Sequence, residues 1–268
     1  MDTISNIRLA EAELLGFAIH RLRIIFKSSS LTGHNTDHHL RVWKNASGIA
    51  EALSLKGEYF TLKEIKELML AALFHDTGMI YETGERHGNA GAELFLTFDE
   101  FKGGDIEVEK VAMAIEKHDD KSYLNGTGER RSTLTILTTA DDMDAFGIIG
   151  FLRYMEIYSH RDISSSRLAQ HIIKNASSRF SHFRDTWSDL DQILSETTKR
   201  YNTLCKCCRA IENPGFSRTM QLFAERSFTL AGQEENNLYT AATTLLNSEF
   251  TEVREIAGTG RESISDML

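Results

Sequence analysis

The 268-residue chain predicts an all-α fold, on three observations. Apolar residues recur near the 3.6-residue helical spacing in one segment after another. A single proline and 18 glycines suit long helices with few turns. Helix-start signals also stand in front of the apolar runs, the clearest being Thr61-Leu62-Lys63-Glu64, a capping box.

Bulk composition sets further limits. With 41% hydrophobic and 26% charged residues the chain can build a sizeable core. Its length is generous for one domain and short for two large ones. No apolar run reaches the roughly 18 residues needed to cross a bilayer. The segment Met1 to Glu13 carries Asp2, Glu11 and Glu13 and lacks a basic-then-apolar leader pattern, so a cytoplasmic protein with no membrane association is expected. A net charge of -9 disfavours non-specific binding to nucleic-acid backbones. A phosphorylated small molecule stays accessible to such a protein if cations and local Arg or Lys offset the repulsion. The three cysteines, Cys205, Cys207 and Cys208, are too crowded and too few for a disulfide framework or a four-ligand zinc site, and are expected to be reduced thiols on a helix.

In chain order, residues 7 to 26 read as an amphipathic helix carrying Ile7, Leu14, Leu15, Ala18, Leu22 and Ile25. After Ser28-Ser29-Ser30 a second helix is expected from Asn35 or Thr36, both able to cap. His38 is in phase with Val42, Ala46 and Ile49, and His39 with Trp43, Ala46 and Ala50, so phase alone does not separate them. His34 would lie one turn earlier on the face of His38 if the helix began that early. The capping box at Thr61 starts a helix through Ile65, Leu68, Met69 and Ala72 to His75-Asp76-Thr77-Gly78. His75 and Asp76 project about 100° apart from the end of a buried rod, where both can reach one metal ion. Burying them there is costly without a partner, and a divalent cation is one. The plainer alternative is a C-terminal cap with Gly78 as its left-handed stop.

His87 begins the next helix, with Gly91 and Ala92 permitting close packing one turn on. Asp105 is expected to cap a helix over 106 to 117, whose stripe Val108, Val111, Ala112 and Ile115 continues to His118. The polar loop Asp119 to Arg131, glycine-punctuated and carrying Lys121, Arg130 and Arg131, is the natural lid. A helix over 133 to 146 ends in Asp141, Asp142 and Asp144. Carboxylates at a helix C-terminus run against its dipole and point to a positive partner, although Asp142 also reads as solvated charge. Helices over 165 to 185, 187 to 211, 217 to 231 and 234 to 248 follow, broken near Pro214-Gly215 and Gly232, with a frayed tail from Gly258.

Taken in order, His38, His75-Asp76, His87, His118 and Asp141 resemble the HD-domain metal-dependent phosphohydrolase superfamily, an all-helical bundle named for its His-Asp doublet. The resemblance covers roughly residues 15 to 160. Ala140 to Phe146 resembles the closing Asp motif, with Asp141 as ligand. His34-Asn35-Thr36-Asp37-His38 is similar to the His-Asn-x-x-His element of cyclic-nucleotide phosphodiesterases in the superfamily. By that match His38 rather than His39 is a ligand, and His34 takes the place of the leaving-group proton donor. The resemblance implies a first metal on His38, His75, Asp76 and Asp141, and a second on His87 and His118 with Asp76 bridging. Two metals roughly 3.5–4 Å apart activate a water and stabilise attacking and leaving oxygens. His and carboxylate ligands suit one or two ions of Fe, Mn, Zn, Co or Ni.

The implied activity is hydrolysis of a phosphomonoester or phosphodiester, expected to be nucleotide-derived, with His34 and Asp76 catalytic and Arg86, Lys121, Arg130 and Arg131 available to phosphate oxygens. The loop after His118 departs from members that cleave cyclic dinucleotides: His118 is followed by Asp119, and no Gly-Tyr-Pro is present. A mixed-valent di-iron oxygenase on the same ligands and a non-catalytic sensor are the alternatives. The expected organisation is an HD-type metal-binding catalytic core over 1–162 and a C-terminal helical extension over 163–268 that packs on the core or mediates association as a homo-oligomer.

Overall fold

The structure, a computed structural model, describes residues 2–29, 31–84, 86–102, 104–120, 122, 129–233 and 237–258. Helices dominate it, and no strand occurs among the described residues. Contacts divide the chain into two compact units. The first comprises 1–30 and 34–143; the second comprises 31–33 and 144–268.

In the first unit α1 (Thr3–Ala10) runs through a π-helical stretch, Glu11–Leu15, into α2 (Gly16–Ile25). α3 (Thr36–Leu55) starts on Asn35, whose side chain accepts from the Asp37 amide at 3.0 Å. His34 therefore precedes the cap and is not one turn up the helix. α4 (Leu62–Phe74) has the expected capping box, with Thr61 and Glu64 satisfying each other's backbone N–H. From Glu67 to Phe74 every residue of α4 is buried. A helix apolar nearly all round belongs in the middle of a bundle, and α4 is packed by α1, α2, α3 and, beyond the site, α6. Its C-terminal Phe74 sits in a cluster with Phe95, Phe98 and Phe101, ring centroids 5.4–5.8 Å from its own. Each fully buried ring of this kind contributes about 1.5–3 kcal/mol, so the end of α4 is held where the His-Asp doublet emerges.

A 3-10 turn, Thr77–Ile80, follows the doublet and packs on α5 (His87–Leu96), which lies along α6 (Val108–Lys117). Gly78 is not the left-handed stop that its position suggested; among the described glycines, positive φ is confined to Gly57 and Gly147. Its role is close approach. A Cβ there would sit 1.9 Å from the His87 carbonyl oxygen and 2.5 Å from the Gly91 nitrogen. α6 begins two residues later than expected, with Glu107 rather than Asp105 at the cap position; Asp105 instead faces Lys66 at 3.8 Å. α7 (Thr133–Asp144) closes the unit, and Asn45 of α3 donates to its Ala140 carbonyl at 3.0 Å.

The second unit opens with α8 (Gly147–His160), a helix the sequence reading did not separate from its surroundings. α9 (Ser165–Trp187), α10 (Asp191–Glu212) and α12 (Leu238–Ser248) pack on it. α11 (Ser217–Ala231) and α13 (Thr251–Ala257) complete the unit, and the breaks fall at Pro214-Gly215 and Gly232 as expected. The partition thus groups 144–162 with the later helices, where the sequence reading drew its line at 162. The three cysteines are buried thiols on α10, and burial pushes Cys207 up to about 12.

Candidate metal centre

Four side chains from three helices converge at the C-terminal end of α4. His38 (α3), His75 and Asp76 (just past α4) and Asp141 (α7) offer ligand atoms that all lie within 4.8 Å of one another. His38 Nε2 is 3.1 Å from His75 Nε2, 3.2 Å from Asp76 Oδ2 and 3.5 Å from Asp141 Oδ1. Asp76, His87 and His118 form a second group of the same kind. His118 Nε2 is 2.9 Å and His87 Nε2 3.1 Å from Asp76 Oδ1, and the two nitrogens are 3.2 Å apart. Asp76 thus faces one group with each carboxylate oxygen. The cysteines belong to neither group.

Local structure aims these rings. His75 Nδ1 donates to the Ala72 carbonyl at 2.9 Å, His87 Nδ1 to Gly84 at 2.6 Å and His118 Nδ1 to Ile115 at 2.6 Å. In every case the acceptor lies three residues back. A carbonyl can only accept, so each Nδ1 carries hydrogen and each neutral ring turns an Nε2 lone pair inward. Ligating histidines are held by such outer bonds. Two lone pairs 3.2 Å apart, on His87 and His118, repel unless a proton or a cation stands between them. The donor set of imidazole nitrogen and carboxylate oxygen therefore fits a metal ion in each group.

Electrostatics agree with that reading. His75 is fully buried, which disfavours its charge, yet the Asp76 and Asp141 carboxylates outweigh burial and hold it up at about 10. Burial likewise opposes the Asp76 carboxylate. The charge of His75 and hydrogen bonds from His118, His38 and His75 nevertheless keep it well below the ordinary range. Burial also opposes the charge of His87, which its hydrogen bond and charge interaction with Asp76 nonetheless favour. His118 is lowered, chiefly by burial. Without metal the site holds its charge balance with protons on imidazole.

The remaining candidates fall elsewhere or alongside. His34 is buried, its ring edge-on to His38 with centroids 5.5 Å apart. His39 is fully buried, 5.0 Å from the rings of both His75 and Phe26, but neither of its nitrogens has a hydrogen-bond partner and it joins neither ligand group. Burial, with His75 and His38 close by, keeps it neutral. Arg86 is exposed at the start of α5, next to His87. Arg131 is committed at the opposite end of α4 from the doublet: it pairs with Glu64 at 2.8 Å and donates to the Tyr59 carbonyl. Arg130 adjoins it, before α7, while Asp141 lies near the far end of that helix. Lys121 and the loop 123–128 lie outside the described residues. Asp142, read as solvated, is instead 1% exposed. Asp119 was missed altogether. Its Oδ2 is 3.2 Å from His87 Nδ1, on the outer side of the ring. Only its position directly after His118 hinted at it.

An all-helical unit that buries two His/Asp groups sharing one carboxylate defines a metal-ligand scaffold. Residues 36–146 match the HD domain family model. No curated protein and no solved structure matches the chain.

Proposed function

We propose that the chain is a metal-dependent phosphohydrolase cleaving a nucleotide-derived phosphomonoester or phosphodiester at a two-metal centre. The observation that carries this reading is the division of Asp76, with Oδ2 facing His38 and His75 and Oδ1 facing His87 and His118. One carboxylate placed between two imidazole pairs is the arrangement that holds two cations side by side. Cations bound there supply Lewis acidity, acidifying a water as nucleophile and offsetting charge on the phosphate.

The protein's own residues do the rest. His38, His75 and Asp141 hold one side of the centre, and His87 and His118 the other. The carbonyls of Ala72, Gly84 and Ile115 keep the Nε2 atoms of their rings turned inward. His34, beside His38, hands a proton to the departing oxygen. Arg86, exposed next to His87, meets phosphate oxygens at the rim.

Elemental analysis of the purified protein, followed by a screen of phosphate esters with added manganese, tests the proposal. Two metals per chain and turnover of a nucleotide ester are expected. Oxygen consumption by a coloured iron centre, with no ester cleaved, would replace it with oxygenase chemistry. His34→Ala should slow turnover about 100-fold with metal content intact; loss of metal in that variant would make His34 a ligand.

A further inference from the structure

Glu156 on α8 is buried, yet it spends its carboxylate on a loop 124 residues earlier in the chain. Oε1 accepts from both the backbone N–H and the hydroxyl of Thr32, each at 2.7 Å, and Oε2 accepts from the Gly33 N–H at 2.9 Å. Two consecutive backbone N–H groups aimed at one anion make a nest, and bonds to an ionised acceptor are roughly twice as strong as neutral ones. The loop also lies hard against the helix. A Cβ on Gly33 would meet Glu156 Oε2 at 2.9 Å and Arg153 Cγ at 3.0 Å. Arg153 is itself fixed by Asp144, Nη1 to Oδ2 at 3.0 Å. Residues 31–33 accordingly belong to the second unit together with α8.

The next residue in the chain is His34. After it comes Asn35, pinned as the cap of α3. His34 thus follows directly on the two residues whose backbone the Glu156 carboxylate holds. We propose that Glu156 is a positioning residue for His34: by gripping Thr32 and Gly33 it sets the backbone from which that imidazole delivers its proton. The inference rests on the phosphohydrolase reading above. Misplacing a proton donor by about 1 Å costs on the order of 100-fold in rate.

Leaving groups separate positioning from mere structure. A 4-nitrophenolate departs without a proton, whereas a nucleoside alkoxide needs one. Glu156→Ala, Glu156→Gln and Thr32→Val are compared on 4-nitrophenyl phosphate against adenosine 5′-monophosphate, and on bis(4-nitrophenyl) phosphate against 3′,5′-cyclic AMP. Thr32→Val removes one of the three hydrogen bonds and serves if the Glu156 variants fail to fold. With manganese loaded, Glu156→Ala should lose about 100-fold on the nucleotide ester and only about threefold on the nitrophenyl ester. Glu156→Gln keeps one acceptor oxygen and should fall between. Metal content should be unchanged, and adding His34→Ala to Glu156→Ala should cost nothing more. Equal losses on both leaving groups, or losses that multiply in the double variant, would overturn the proposal.

Amide exchange at Thr32 and Gly33 and the His34 ring resonances give readouts independent of turnover. Both should change in Glu156→Ala. If the parent cleaves no ester, the phosphohydrolase reading fails on its own, and these two signals decide the positioning claim: an unmoved His34 resonance sinks it.

Discussion

Replacing Gly78 by alanine tests the packing that brings the two halves of the centre together. The added Cβ would lie 1.9 Å from the His87 carbonyl oxygen, whereas ordinary contact begins near 3.4 Å. Turn and helix must therefore separate by about 1.5 Å, and the obstacle is backbone, which cannot swing aside as a flexible side chain does. Overpacking of this kind costs about 1–3 kcal/mol, and the upper end applies here. For a unit of this size that lowers the melting temperature by about 6–12 °C. The same separation moves His87 away from Asp76, and ligand positions tolerate only about 0.2 Å. Gly78→Ala should thus lose metal from the His87–His118 side while keeping it on the His38–His75 side. Gly91→Ala is the graded control, because its Cβ meets nothing nearer than the His75 oxygen at 3.2 Å and needs a shift of a few tenths of an ångström. Calorimetry and elemental analysis of both variants read the outcome. A Gly78→Ala protein with the parent's melting temperature and metal content would refute the reasoning.

Asp76→Ala should abolish metal binding and activity together, since one residue serves both groups; a metal-loaded, active variant would refute the shared role. His87→Ala should halve the metal stoichiometry, and unchanged stoichiometry would argue for a single-metal site. A pH dependence follows from His75, held up at about 10 by Asp76 and Asp141 despite burial. A group raised from its ordinary value stabilises the fold fully below about 6.5 and loses that contribution as pH rises through about 10. The chelated protein should therefore lose stability between about pH 7 and 10, and saturating manganese should remove the slope, because a ligated Nε2 carries no proton; parallel curves with and without metal would count against ligation by His75.

What the sequence made legible was the set of elements whose pattern is local. Thr61 and Glu64 announce α4 because a capping box lies within four residues. The doublet stood out because polar residues closed an apolar run. α8 escaped because eleven of its fourteen residues are buried, leaving no polar face to set a phase. Asp142 was misjudged for a similar reason: a carboxylate at a helix end reads as solvated until the neighbours that cover it are known. Gly78 stays open in the sequence because a glycine after a helix serves as a left-handed stop or as a point of close approach, and only α5 decides between them. Asn35, one of the two cap residues the sequence offers, takes the cap, which leaves His34 ahead of the helix. Asp119 has only its place after His118 to mark it and Glu156 has no local signature at all; each acts on a residue or loop that folding brings to it.

The histidines that lean on carbonyls three residues behind them have one more consequence. Each of these orienting bonds spans only three residues, so His75, His87 and His118 take their direction from their own segments rather than from a bound ion. Ion uptake then demands little reordering of the rings. Filling the centre should accordingly be fast and leave the helices where they were, with identical circular dichroism before and after loading.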